Sequence, residues 1–185
     1  MKKMSLYLTL IMLLGAFSFC NRQRKDSVDV AKESNDRKEV LNEDQADFVV
    51  QAASGGLLEV ELGKLGQQIA QHSRVKKFAK MMVDDHAKMN EELKELATKK
   101  QLTLPGSLGE EQQRKVDDLR KQNRQRFDSR YLEVMEEEHQ ADIKKFEDAS
   151  ENHKDADIQS FAAKHLPLLR AHLDSVKIIR AALRK

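Results

Sequence analysis

Between residues 43 and 183 the chain is almost free of helix breakers, and its apolar residues recur at the spacing of an amphipathic helix. Its two prolines are Pro105 and Pro167, and the first stands in QLTLPGSLGE, where the pattern lapses. Such a chain can bury its apolar stripes only by laying helices side by side. The pattern predicts a first helix over 43–72, opened by Asn42 and Gln45 at capping-box spacing, and a second over 73–100 with Ser73 as cap. Residues 110–150 carry no breaker; they read either as one very long third helix or as a crossover helix that bends near Phe127 into it. The turn ENHKDAD leads to a last helix over 156–183. The expected fold class is all-α: a four-helix bundle with an additional crossover helix or one very long third helix.

The segment before residue 43 has another character. MKKMSLYLTLIMLLGAFSFC places two lysines ahead of an apolar run too short to span a membrane, the form of a secretory signal over residues 1–19. Cys20, the single cysteine, stands where a bacterial lipoprotein carries its lipid, although Phe17 and Phe19 depart from that pattern. Cleavage after Ser18 is the alternative, and would leave a free thiol. Residues 20–42 are charged in both signs and poor in large apolar side chains, and read as a disordered tether. The bundle domain is therefore expected over 43–185, exported to the periplasm or held at the envelope membrane by a lipid on Cys20. A formal net charge of +2 with interspersed signs gives no nucleic-acid footprint.

Against this helical background, AASGGLLEVELGKLG is costly: Gly55, Gly56, Gly63 and Gly66 together forgo about 4 kcal/mol of helix propensity. On a helical wheel, Gly56, Gly63 and Gly66 gather on one side of Glu59, with Leu58, Leu62 and Leu65 adjoining. The glycines thus predict close approach of a neighbouring helix around one buried carboxylate, which needs a partner. His86 supplies one, since both residues lie about 20 Å along the axis from a turn at 72–73. His86, His139 and His172 each fall at the centre of an apolar face, and His165 lies two turns from His172 on the same side. FAKMMVDDHAKMNEEL also echoes YLEVMEEEHQADIKKF, matching Met82 with Met135, Asp85 with Glu138 and His86 with His139.

Imidazoles and carboxylates converging inside a bundle can hold a metal ion. The Glu-x-x-His spacing of di-iron proteins occurs once, at Glu136 and His139; Val83 and Leu169 stand where further copies would need an acid, so a di-iron oxidase lacks carboxylates. A histidine-rich site for iron, zinc or copper fits better. Met82 and Met135, four residues before His86 and His139, could offer sulfur to copper or simply fill the core. The candidate ligands are Glu59, His86, Glu136, His139 and His172, with His165 in support. Asp85 and Glu138, about 100° from the buried centre, could orient ligands at most. The competing reading is that the His–carboxylate pairs lock helix register in a non-catalytic structural or interaction module. No nucleophile motif, phosphate loop or cysteine pair supports a catalytic assignment.

The segments FVVQAASGGLLEVELGKLG, VKKFAKMMVDDHAKMNEEL, LTLP, FDSRYLEVMEEEHQADIKKFE and HLPLLRAHL, in that order, resemble the exported bacterial proteins of domain-of-unknown-function family 4142. That resemblance covers about residues 43–180 and implies a ferritin-like bundle in the cell envelope, with no established activity; metal binding in envelope stress is one role open to it. The family usually carries Asp-His at both repeats, whereas here the second is Glu138-His139.

Overall fold

The computed structural model describes residues 25–37 and 43–183, and among them it is helical without strands. Six helices follow in order: α1 Ser27–Asp36, α2 Glu43–Ile69, α3 Ser73–Lys99, α4 Glu110–Arg120, α5 Arg124–Asn152 and α6 Ala156–Leu183. Helices α2, α3, α5 and α6 form the bundle as two tight antiparallel hairpins, α2/α3 and α5/α6. The hairpins meet with α2 along α5 and α3 along α6, which leaves α3 and α5 on a diagonal. At one end the Asp128 carboxylate, near the start of α5, accepts from the Gln71 and His72 amides of the α2/α3 turn at 3.0 and 2.7 Å. At the other, Lys100 after α3 pairs with Asp155 and Asp157 at the start of α6, 2.5 and 2.6 Å away. Helix α4 therefore carries the chain from one end back to the other, as a ferritin-like connection requires.

Of the two readings of 110–150, the separate crossover helix holds. The break comes at Gln122–Asn123 rather than near Phe127, because the Asn123 side chain accepts from the Arg126 amide and starts α5 afresh. Helix α3 is capped not by Ser73 but by His72, whose Nδ1 accepts from the Arg74 amide at 3.2 Å. The Asn42 capping position, the signal segment and Cys20 lie outside the described residues.

The tether reading of 20–42 is corrected over 27–36. Asp26 accepts from the Val28 amide at 2.7 Å and the Glu110 amide at 2.5 Å, so one carboxylate caps α1 and α4 together. Asn35 pairs through both side-chain atoms with the Thr103 backbone, at 2.7 and 3.0 Å. Polar groups aimed at a distant loop do the ordering that the segment's few apolar residues could not, and composition does not register them.

The glycine seam works as expected. A Cβ on Gly63 would stand 2.9 Å from the Ala79 carbonyl, so α2 and α3 touch backbone to backbone there, and one on Gly66 would stand 2.8 Å from the Ala79 Cβ and 2.9 Å from the Tyr131 ring. The interior divides into two apolar layers. Leu58, Leu62, Met82, Tyr131, Met135 and Val176 belong to one, Ala52, Met89, Leu93, Ile143, Phe146 and Leu169 to the other. Between them lies a layer of polar side chains.

Candidate metal centre

Each bundle helix sends one polar group into that middle layer: Glu59 from α2, His86 from α3, His139 from α5 and His172 from α6, exposed by 1%, 1%, 0% and 2%. The heptad-like apolar pattern puts them there, because each sits between residues that belong to the two apolar layers. The imidazole centroids form a near-equilateral triangle with sides of 5.6, 5.4 and 5.3 Å. One ring nitrogen from each lies within 4.8 Å of the others. Tetrahedral coordination at 2.0–2.1 Å separates ligand nitrogens by about 3.4 Å, so small side-chain rotations would bring all three onto one ion. The Glu59 carboxylate stands 3.3 Å from His86 Nε2 and 3.4 Å from His139 Nδ1.

Two of the rings have their tautomers set by neighbours. His139 Nδ1 lies 2.8 Å from the Met135 carbonyl, which can only accept, so Nδ1 carries the hydrogen and Nε2 the lone pair. His172 Nε2 donates to Asp85 Oδ2 at 3.1 Å, leaving the lone pair on Nδ1. Neither lone pair has a hydrogen-bond partner, nor has either nitrogen of His86 or either oxygen of Glu59. A carboxylate that holds the far nitrogen of a ring in this way is the usual device for aiming an imidazole at a metal.

Burial keeps all three imidazoles neutral. It pushes His139 down to about 4 against the help of its Met135 bond. It pushes His86 well below the ordinary histidine value, with the other histidines adding to the effect. His172 is lowered by burial too, although Asp85 pulls the other way. Glu59 is driven well above the ordinary carboxylate range, by burial first and then by the charges of Asp142 and Glu138. Neutral imidazoles are the form that binds a metal.

Not every expected residue reaches this layer. Glu136 turns aside to Arg180 on α6, since its position off the centre of the α5 face points it at that helix rather than at His139. His165 lies two turns away along α6, where its Nε2 meets Glu92 Oε2 at 2.9 Å. Glu138 does not orient His139 but pairs with Lys115 of α4 at 2.8 Å. Asp85 does orient an imidazole, that of His172 on α6. The echo between α3 and α5 is physical at two of its positions: Phe78 stacks edge-on against Tyr131 at 6.3 Å, and His86 against His139. Its acids diverge. Sequence reasoning missed Glu92, which carries no motif, and gave no role to Asp142, whose carboxylate lies where a Cβ on Gly55 would approach to 3.1 Å. The signal for Asp142 was its place one turn from His139 on the apolar face of α5.

A family model described as "Domain of unknown function (DUF4142)" matches residues 30–179. Among solved structures, the chain is similar to a crystal structure of a DUF305 fragment from Deinococcus radiodurans, at 12% identity and a TM-score of 0.65, over 75% of this chain and 95% of that one. That likeness is one of fold. No curated protein sequence matches the chain.

Proposed function

We propose that this chain, which belongs to the DUF4142 family of domains of unknown function, binds a transition-metal ion (iron, zinc or copper) through His86, His139 and His172. The observation that carries the reading is the set of buried polar atoms in one layer that lack hydrogen-bond partners: both Glu59 oxygens, both His86 nitrogens, His139 Nε2 and His172 Nδ1. Each such atom costs about 1–3 kcal/mol. A cluster that served only to lock helices would satisfy its own members. An ion takes up one lone pair from each imidazole, and Glu59 supplies a counter-charge beside it.

Holding a metal fits this site better than catalysis with one. All four groups are buried between apolar layers, whereas a catalytic ion needs a position open to substrate. Elemental analysis of the purified chain, loaded in turn with zinc, iron and copper, tests the reading. One bound ion, lost in His86→Ala, His139→Ala and His172→Ala alike, is expected; no ion under any loading overturns it.

The register-lock reading draws on the bonds Asp85–His172 and Glu92–His165, which tie α3 to α6 at two levels. It requires a metal-free protein and falls if a stoichiometric ion is found. Export, a signal over residues 1–19 and lipidation of Cys20 complete the proposal. They rest on the sequence alone, and a diacylglyceryl mass increment on Cys20 tests the last.

A further inference from the structure

We infer that the α3–α6 seam is the route by which a hydrated divalent cation reaches the histidine layer, with Glu92 and His165 as its outer station. The inference rests on the metal reading above. The other sides of the layer are more closely packed. Apolar layers lie above and below it, and α2 and α3 pack backbone to backbone at Gly63. The α5/α6 hairpin is equally tight, and the α2–α5 seam lies under α4, pinned there by Lys115 and Glu138. Among the described residues no further helix covers α3 and α6.

That seam is lined for a cation. Asp85 and Glu92 lie seven residues apart on α3, and His172 and His165 lie seven apart on antiparallel α6. The result is two carboxylate–imidazole rungs, about 10 Å apart along the bundle. The carboxylates reach water, Glu92 with 40% of its side chain exposed and Asp85 with 25%. The imidazole behind Asp85 is buried, and its Nδ1 has no partner and belongs to the metal triangle. Carboxylate at the surface and imidazole behind it therefore lead from solvent to the centre at one seam. Glu92 Oε2 also accepts from Lys164 Nζ at 2.7 Å, so an arriving cation must displace an ammonium.

The test follows uptake of cobalt(II) by the full chain through its visible absorption, comparing wild type with Glu92→Gln and Lys164→Ala. Both residues are exposed enough for the variants to fold, and circular dichroism checks that they do. Glu92→Gln is expected to slow uptake by about tenfold, the scale of electrostatic capture at a charged cleft, and Lys164→Ala to speed it. Neither should change the amount bound. Both variants loading at the wild-type rate overturns the route and leaves the metal reading standing. Loss of bound cobalt in Glu92→Gln also overturns it, because Glu92 would then hold the stored ion. Slower uptake in Glu138→Gln with none in Glu92→Gln places the route at the opposite seam. No uptake by wild type overturns the route for divalent ions, while the elemental analysis decides the metal reading separately.

Discussion

Asp85 and His172 sit on different bundle helices, and the 3.1 Å bond between them fixes which nitrogen of a buried imidazole is left to bind. Asp85→Ala removes that constraint without touching the ring. Metal affinity is expected to fall by about 10- to 100-fold with one ion still bound at saturation. Competition against a chelator of known affinity measures it; an unchanged affinity would show that Asp85 does not aim the ring.

Glu136 provides the complementary case. Paired with Arg180, it should be irrelevant to the ion, and Glu136→Ala is expected to bind metal like wild type. A tenfold loss in the same competition assay would return Glu136 to the ligand set.

The metal-free protein should be weakened by acid. The folded-state value of His139 is depressed to about 4 from 6.5, and His86 and His172 are depressed as well. Between those two pH values the unfolded chain takes up protons that the native layer refuses, so stability falls as pH falls. His139 alone accounts for about 3 kcal/mol across that window. Glu59 acts in the opposite sense, because a raised carboxylate gains a proton in the native state first, and it offsets part of the loss. Urea midpoints of the metal-free Glu59→Gln variant at pH 7 and 4.5 isolate the histidines from that offset, and equal midpoints there would contradict neutral buried imidazoles.

Glu59→Gln separates charge from shape. At pH 7 the buried carboxylate destabilises the metal-free fold, since its folded-state value lies well above that of the unfolded chain. The metal-free variant should match or exceed wild type in its urea midpoint at pH 7 while binding metal less tightly. A variant that binds as tightly as wild type would remove Glu59 as counter-charge.

Gly63 tests the seam that brings α2 up to the layer. A Cβ there would meet the Ala79 carbonyl at 2.9 Å, and a backbone atom cannot swing aside. Gly63→Ala is expected to cost about 1–3 kcal/mol despite its better helix propensity. Chemical denaturation checks the sign, and a stabilised variant would mean the two helices do not touch there.

Much of the site was legible because helical periodicity is local. The burial of Glu59, His86, His139 and His172 follows from their places within apolar stripes, and the common level of the first three follows from counting residues from the turns, whereas the choice of His172 over His165 came from the structure. What stayed hidden was which acid meets which imidazole. Asp85 passes its own helix's His86 to bond His172, and Glu92, without any motif, takes His165. Helix α1 was hidden for a related reason: its order comes from Asp26 and Asn35 bonding a loop some seventy to eighty residues away.

The sequence by itself determined the four bundle helices, their buried faces and the polar residues among the apolar ones there, since these depend on spacing along a single helix. Only the tertiary structure decided the partners. Long acidic and basic side chains lie at the borders of those faces, and small differences in the register of neighbouring helices turn Glu136 to Arg180, Glu138 to Lys115 and Asp85 to His172.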